Sequence, residues 1–558
     1  MTSLVAHTRT TANTGATTQN VTVTGFGTVA AAMIVVTNAT TDSTEMAEAQ
    51  MSIGFWVPSA THRALAIVSE DNKGTRTDTK VRRTADHAIV LIDNTGTVIR
   101  QATIAATTNG ITISWFNSAG TATAPPAAWK MEFLFIGGTT TEAAIVDVAG
   151  PPVSGSGETV ISSLFFQPDA LIFLGPGSFP TSPSTSEGAA AMLGFTTRAP
   201  TIRKGCIFWE DPDNVTTTTL KSLVTNAASV LGGIGSNDSY SVSAFSATGF
   251  TLANDFLIAV GPDTTCLAIQ LEGVNFWAGT ISSPTSTGNH THTDPGFRPQ
   301  GVLFGLGLCA SVGANEQDQD AGPFGVGIAA DNHGSESSGS ACIRSQDAVN
   351  LAIGSSDTAS LPSAGPVRIP NGSGTVQLAA DTPVWDQAGV RLNWTTVQGS
   401  ARHLPALFFG AQPTVITPSP LAVSLAVPSA TRALLLSPSA LAVPIAMPAA
   451  ARALLLSPDP LEVLFAIANT AGGTNIAPDP LAVTTAMPAA TRALLLNPDA
   501  LAATTAISAV TRALLLSPDA LATSLVVPSA TRQLLLEPAP LEASLAQPAA
   551  TRALLLSP

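Results

Sequence analysis

Short runs of alternating apolar and polar residues fill the first 411 positions. Ile111, Ile113 and Trp115 alternate with Thr112 and Ser114, and Val390, Leu392 and Trp394 alternate with Arg391 and Asn393. A period of two places every second side chain on one face of an extended strand. Other runs, such as Ala88 to Ile92 (AIVLI), are apolar throughout and suit strands buried on both faces. Clusters of Gly and Pro separate the runs and mark turns. The pattern predicts an all-β chain with little helix.

The landmarks recur in order. VTGFGTVAAAMIVV near Phe26 matches LFFQPDALIFLG near Phe166 and PGFRPQGVLFGLG near Phe297. MSIGFWV around Gly54 matches AMLGFTT around Gly194 and FGVGIAA around Gly327. GITISW from Gly110 matches GFTLAN from Gly249 and GVRLNW from Gly389, while MEFLFIGG matches LAIQLEG and PALFFGA. An ordered series repeated three times points to three tandem antiparallel β-sandwich or jelly-roll-like domains. The expected boundaries are a polar N-terminal arm at 1–20 and sandwiches at 21–150, 151–283 and 284–411. The joints are AGPPVSGSGE near 150 and SSPTSTGNHTHTDPG near 288, both of linker composition.

A different period takes over from Pro418. Pro recurs at 418, 438, 458, 478, 498, 518, 538 and 558, and Arg at 432, 452, 492, 512, 532 and 552. Residues 412–558 therefore read as seven twenty-residue units of two strands each, with prolines at the turns. Proline at that frequency would break a helix repeatedly. A single-chain solenoid would stack the arginines about 4.8 Å apart. That favours an intertwined fibre or an assembled shaft, in which the arginines lie further apart.

Composition narrows the function. The formal charge of −14 disfavours nucleic acid and anionic membranes as partners. The start of the chain lacks a secretory pattern, and no apolar run of about 18 residues predicts a membrane helix. The chain is expected to be made in the cytoplasm and stay soluble unless it leaves by a route that needs no signal, into a virus particle or alternatively an extracellular filament or surface. The array from Pro418 holds six Arg and seven acids, so it is nearly neutral and rich in Leu. Such a surface is expected to be covered by further copies of the chain. The four cysteines, Cys206, Cys266, Cys309 and Cys342, form no CxxC pair and read as free buried thiols.

Candidate chemistry is sparse. His290 and His292, two apart on an extended segment, point the same way and with Asp294 form the best metal-like string. Glu70, Asp71, Glu210, Asp211, Asp213 and Asp347 follow the same strand in each repeat and suit strand-end turns better than a calcium site. Glu316, Asp318 and Asp320 lie in a loop that differs most between repeats, a place where recognition residues gather. Trp56, Trp115, Trp209 and Trp394 read as packing residues before sugar platforms. No nucleotide, zinc-protease or serine-hydrolase motif stands in a fitting context, so neither a cofactor nor catalysis is expected.

The glycine–phenylalanine openings and the Trp-ending strands resemble β-sandwich proteins encoded by tailed bacteriophages, often in duplicate. The array typified by PDPLAVTTAMPAATRALLL is similar to arrays appended to phage structural proteins. A weaker resemblance is to six-stranded H-type lectins. The resemblance implies a virion location and a fibre or decoration role. The expected partners are copies of the chain (a trimer), other virion proteins and host surface glycans. A glycan-binding fibre or a polysaccharide depolymerase is the alternative. The latter needs two carboxylates about 5–9.5 Å apart.

Overall fold

The computed structural model divides into two units, 1–411 and 412–558. In the first it describes residues 5–411 except 43, 59–60, 72–78, 138–140, 149–157, 176–183, 188, 199–200, 212–220, 228, 231–238, 255–263, 314–322, 333, 351–354 and 372–373. In the second it describes only the strands. The fold is all-β, with no helix among the described residues.

One ten-strand arrangement occurs three times in the first unit. In the first repeat the strands are Val5–Thr11, Thr18–Thr22, Val29–Thr37, Ala49–Val57, Thr61–Ser69, Thr79–Thr84, Ile89–Ile92, Val98–Thr107, Gly110–Phe116 and Lys130–Gly137. Strands one, ten, three, four, five and six form a large antiparallel sheet in that order, and strands two, nine, eight and seven a small one. The second repeat runs from Thr141–Val148 to Thr264–Leu271 and the third from Val274–Ser282 to His403–Ala411, with the same orders.

The strand pattern explains the two layers. In Val29–Thr37, Ala32, Ile34 and Val36 face a sandwich core with Ile111, Ile113 and Trp115. The alternate residues Ala31, Met33 and Val35 face a second core that all three repeats share. Register places Met33, Ile172 and Leu303 at equivalent positions in that shared core, as it does Ile53, Leu193 and Val326. Being buried on both faces accounts for the nearly continuous apolar runs. The landmark glycines mark close approaches. A Cβ on Gly54 would overlap the carbonyl oxygen of Ala88, and one on Gly327 that of Pro366. Gly110, Gly249 and Gly389 sit against the carbonyls of Val21, Ile161 and His292.

The three repeats close into a ring. The first strand of each packs on the preceding repeat: His7 on Asn332, Arg63 on Asp147, and Gly205 on Gly279. The segment between strands three and four also crosses to the preceding repeat. Met46–Ala47 pairs with Ser355–Ser363, Ser184–Glu187 pairs with Thr79–Thr84, and Val312 bridges Val224. Head-to-tail contacts of one kind, repeated until the rotation closes, are the geometry of a cyclic trimer, built here from a single chain.

Three sequence expectations change. Residues 1–20 contribute the first strand and the start of the second. The expected arm is therefore part of the sheet, and VAHTRTT was hidden because an edge strand need not alternate cleanly. The same offset of one strand moves both joints. Thr141–Val148 pairs with Thr264–Leu271 of the second repeat, and Gly288–His292, read as linker, is the second strand of the third.

The third change concerns the array. Its strands pair in parallel with those twenty residues on, Leu434 with Leu454 and Leu454 with Thr474, which is a solenoid register within one chain. Two parallel sheets result, of eight and seven strands. Backbone groups paired from rung to rung are what such a register gains. The arginines themselves lie outside the described residues.

Candidate polar site at the seam between the first and third repeats

His290, His292 and Asp294 are not gathered into a ligand set. His290 and His292 do share a face of the strand Gly288–His292, but that face turns into the sandwich. His292 is buried with its ring edge against Trp394, centroids 5.9 Å apart. Burial holds its pKa below the ordinary imidazole value, although Asp294 pulls the other way. Among the described residues no three His, Cys, Asp or Glu side chains come together as a metal site. Glu316, Asp318 and Asp320 lie outside the described residues, as does Asp213.

Of the strand-end acids, Glu70 and Asp71 lie just past the strand Thr61–Ser69, Asp71 in a turn, whereas Asp211 has a different setting from the one expected. Ser69, Asp211 and Ser345 occupy equivalent positions, are fully buried, and meet where the three large sheets converge. The Ser69 hydroxyl donates to Asp211 Oδ2 at 3.1 Å and lies 3.5 Å from Ser345 Oγ. The tryptophans serve as packing: Trp56, Trp115, Trp209 and Trp394 are all buried.

A dense set of interacting charged side chains lies where the first strand of repeat one meets repeat three. Asn332 brackets the backbone of His7, accepting from its N–H at 3.1 Å and donating to its carbonyl at 2.6 Å. This fixes the imidazole, which is fully buried. His7 Nε2 lies 2.9 Å from Glu132 Oε2, and His7 Nδ1 lies 2.9 Å from Ser337 Oγ. Arg9 Nε donates to the other oxygen of Glu132 at 2.9 Å, and its terminal nitrogens reach Asp42 at 2.7 and 3.1 Å. Lys130 adds a second cation 3.4 Å from Asp42. Gly339 leaves room for this set, because a Cβ there would overlap the Glu132 carboxylate.

Nearby, Arg344 Nε and Nη2 each donate at 2.7 Å to the two oxygens of Glu45. This bidentate pair ties the crossing segment of repeat one to repeat three, a charge-assisted geometry stronger than a neutral bond. The carboxylate of Glu132, only 1% exposed, is compensated on both oxygens, as a buried charge must be.

The sequence carried one signal for this site. Glu132 is a lone carboxylate in a strand that is otherwise apolar after Lys130, and such a charge needs a partner. His7 read only as one of several scattered histidines. No protein-family model matches the chain, and no curated protein matches its sequence.

Proposed function

We propose that the chain is a non-catalytic structural component of a phage-like particle, a fibre or decoration protein. Residues 1–411 are the displayed part. The repeat array joins copies of the chain, as a trimer, and other particle proteins. The ring that three repeats close within one chain is the observation that carries this reading. A closed ring needs no second subunit to cover its seams, so residues 1–411 suit display as a rigid unit. The array supports an assembly role, since stacked repeats make extended scaffolds and its sequence is Leu-rich and nearly neutral.

The test is to measure solution mass for residues 1–411 and for the full chain. The expected result is a monomer for the first and an oligomer or filament for the second. A monomeric full chain would refute assembly through the repeats. Binding of residues 1–411 to host glycans on an array would move the reading to a receptor-binding fibre.

A further inference from the structure

We infer that Ser337 is a nucleophilic serine, armed by His7 and Glu132, that accepts an acyl group from a carboxylic ester. The arrangement requires His7 as the neutral imidazole with its proton on Nε2. An ionised Glu132 only accepts, so His7 Nε2, 2.9 Å away, carries a proton and donates it. In the neutral ring Nδ1 is then the bare nitrogen. Ser337 Oγ, 2.9 Å from Nδ1, must donate to it. A serine hydroxyl pointed at an imidazole that is oriented by a buried carboxylate is the arrangement that activates serine for acyl transfer. Asn332 on the His7 backbone and Arg9 on Glu132 hold the pair in place.

Access and placement agree. Ser337 is half-buried, and its chain neighbours Gly334, Ser335 and Glu336 are exposed. An ester can therefore approach the hydroxyl from the hairpin tip while His7 stays dry behind it. Closing the ring does not demand this set. The positions equivalent to His7 are Ile145 and Ala278, and those equivalent to Glu132 are Thr265 and Pro405. The positions equivalent to Ser337 are Thr61 and Arg203. Two seams thus close with other chemistry, and one carries serine, histidine and glutamate together.

In the step, Ser337 Oγ forms a bond to the ester carbonyl carbon while its proton passes to His7 Nδ1. The bond to the leaving oxygen then breaks, and that oxygen takes the proton from His7 to depart as the alcohol. The product is an O-acyl serine. This is one acylation of the chain and not turnover, so it stands beside the non-catalytic role and does not depend on the assembly role of the array.

The probe is an alkyl fluorophosphonate, added to the full chain and located by peptide mapping. Here Oγ bonds phosphorus, fluoride leaves, and the proton again goes to His7. Ser337 is expected to label at least about 100-fold faster than the exposed Ser335 of the same hairpin. Ser337→Ala should abolish the fast labelling, and His7→Gln should slow it by about the same factor. If His7→Gln unfolds the chain, the ratio of Ser337 to Ser335 labelling in the unchanged protein decides alone. Labelling of Ser337 no faster than Ser335, or fast labelling that survives Ser337→Ala, would overturn the assignment.

Discussion

Gly54 shows how tightly single residues are specified. Its Cα faces the carbonyl of Ala88, so a methyl group must push two sheets apart. Gly54→Ala is expected to cost about 1–3 kcal/mol, the usual range for overpacking. Gly399 has open space around it and lies outside the left-handed region, so Gly399→Ala should stay within about 0.5 kcal/mol. Urea midpoints compare the two, and equal losses would contradict the close approach. Two histidines set a pH response. Burial lowers the pKa of His292 and of His87 below the ordinary value of about 6.5. The unfolded chain then binds protons that the fold refuses, so stability falls as pH drops below about 6.5. His292 Nε2 has no hydrogen-bond partner among the described residues. His292→Leu should accordingly flatten the fall in melting temperature between pH 7 and 5 at little cost near neutrality. A slope unchanged in His292→Leu would remove His292 as a source of the response.

Among elements, the crossing segments carry the closure. Glu45→Gln removes the carboxylate that meets the buried Arg344 guanidinium, and should cost about 1–3 kcal/mol. The exposed Glu142→Gln should stay within about 0.5 kcal/mol. A double-mutant cycle on Glu45 and Arg344 that gives no coupling would show the segment held by its backbone alone. These segments were not legible in the sequence. Nothing local to Met46 and Ala47 announces partners at Ser360 and Ala359, some three hundred residues on. What was legible is local. The alternation at Ile111, Ile113 and Trp115 gave a strand, and the glycines at 54, 194 and 327 aligned the repeats. Edge strands such as VAHTRTT carry a weaker pattern and were assigned a place outside the sheet. The array's period is plain in the sequence, but the pairing of its strands is not, because a period of twenty fits a ladder within one chain and one between chains equally well. The seam site was legible only as the stray charge of Glu132, since His7, Glu132, Asn332 and Ser337 come from four separate strands.

At the scale of the whole molecule, residues 1–411 have one shared core as well as three sandwich cores. The shared core draws Met33, Ile172 and Leu303 from different repeats, so no repeat can unfold without exposing the inner faces of the other two. Cooperative unfolding follows from that dependence. Strung sandwiches with separate cores would instead melt independently, and a rigid displayed unit would lose its basis. Differential scanning calorimetry of residues 1–411 tests this most directly. The closed ring requires a single transition whose calorimetric and van't Hoff enthalpies agree; two or three resolved transitions would contradict it.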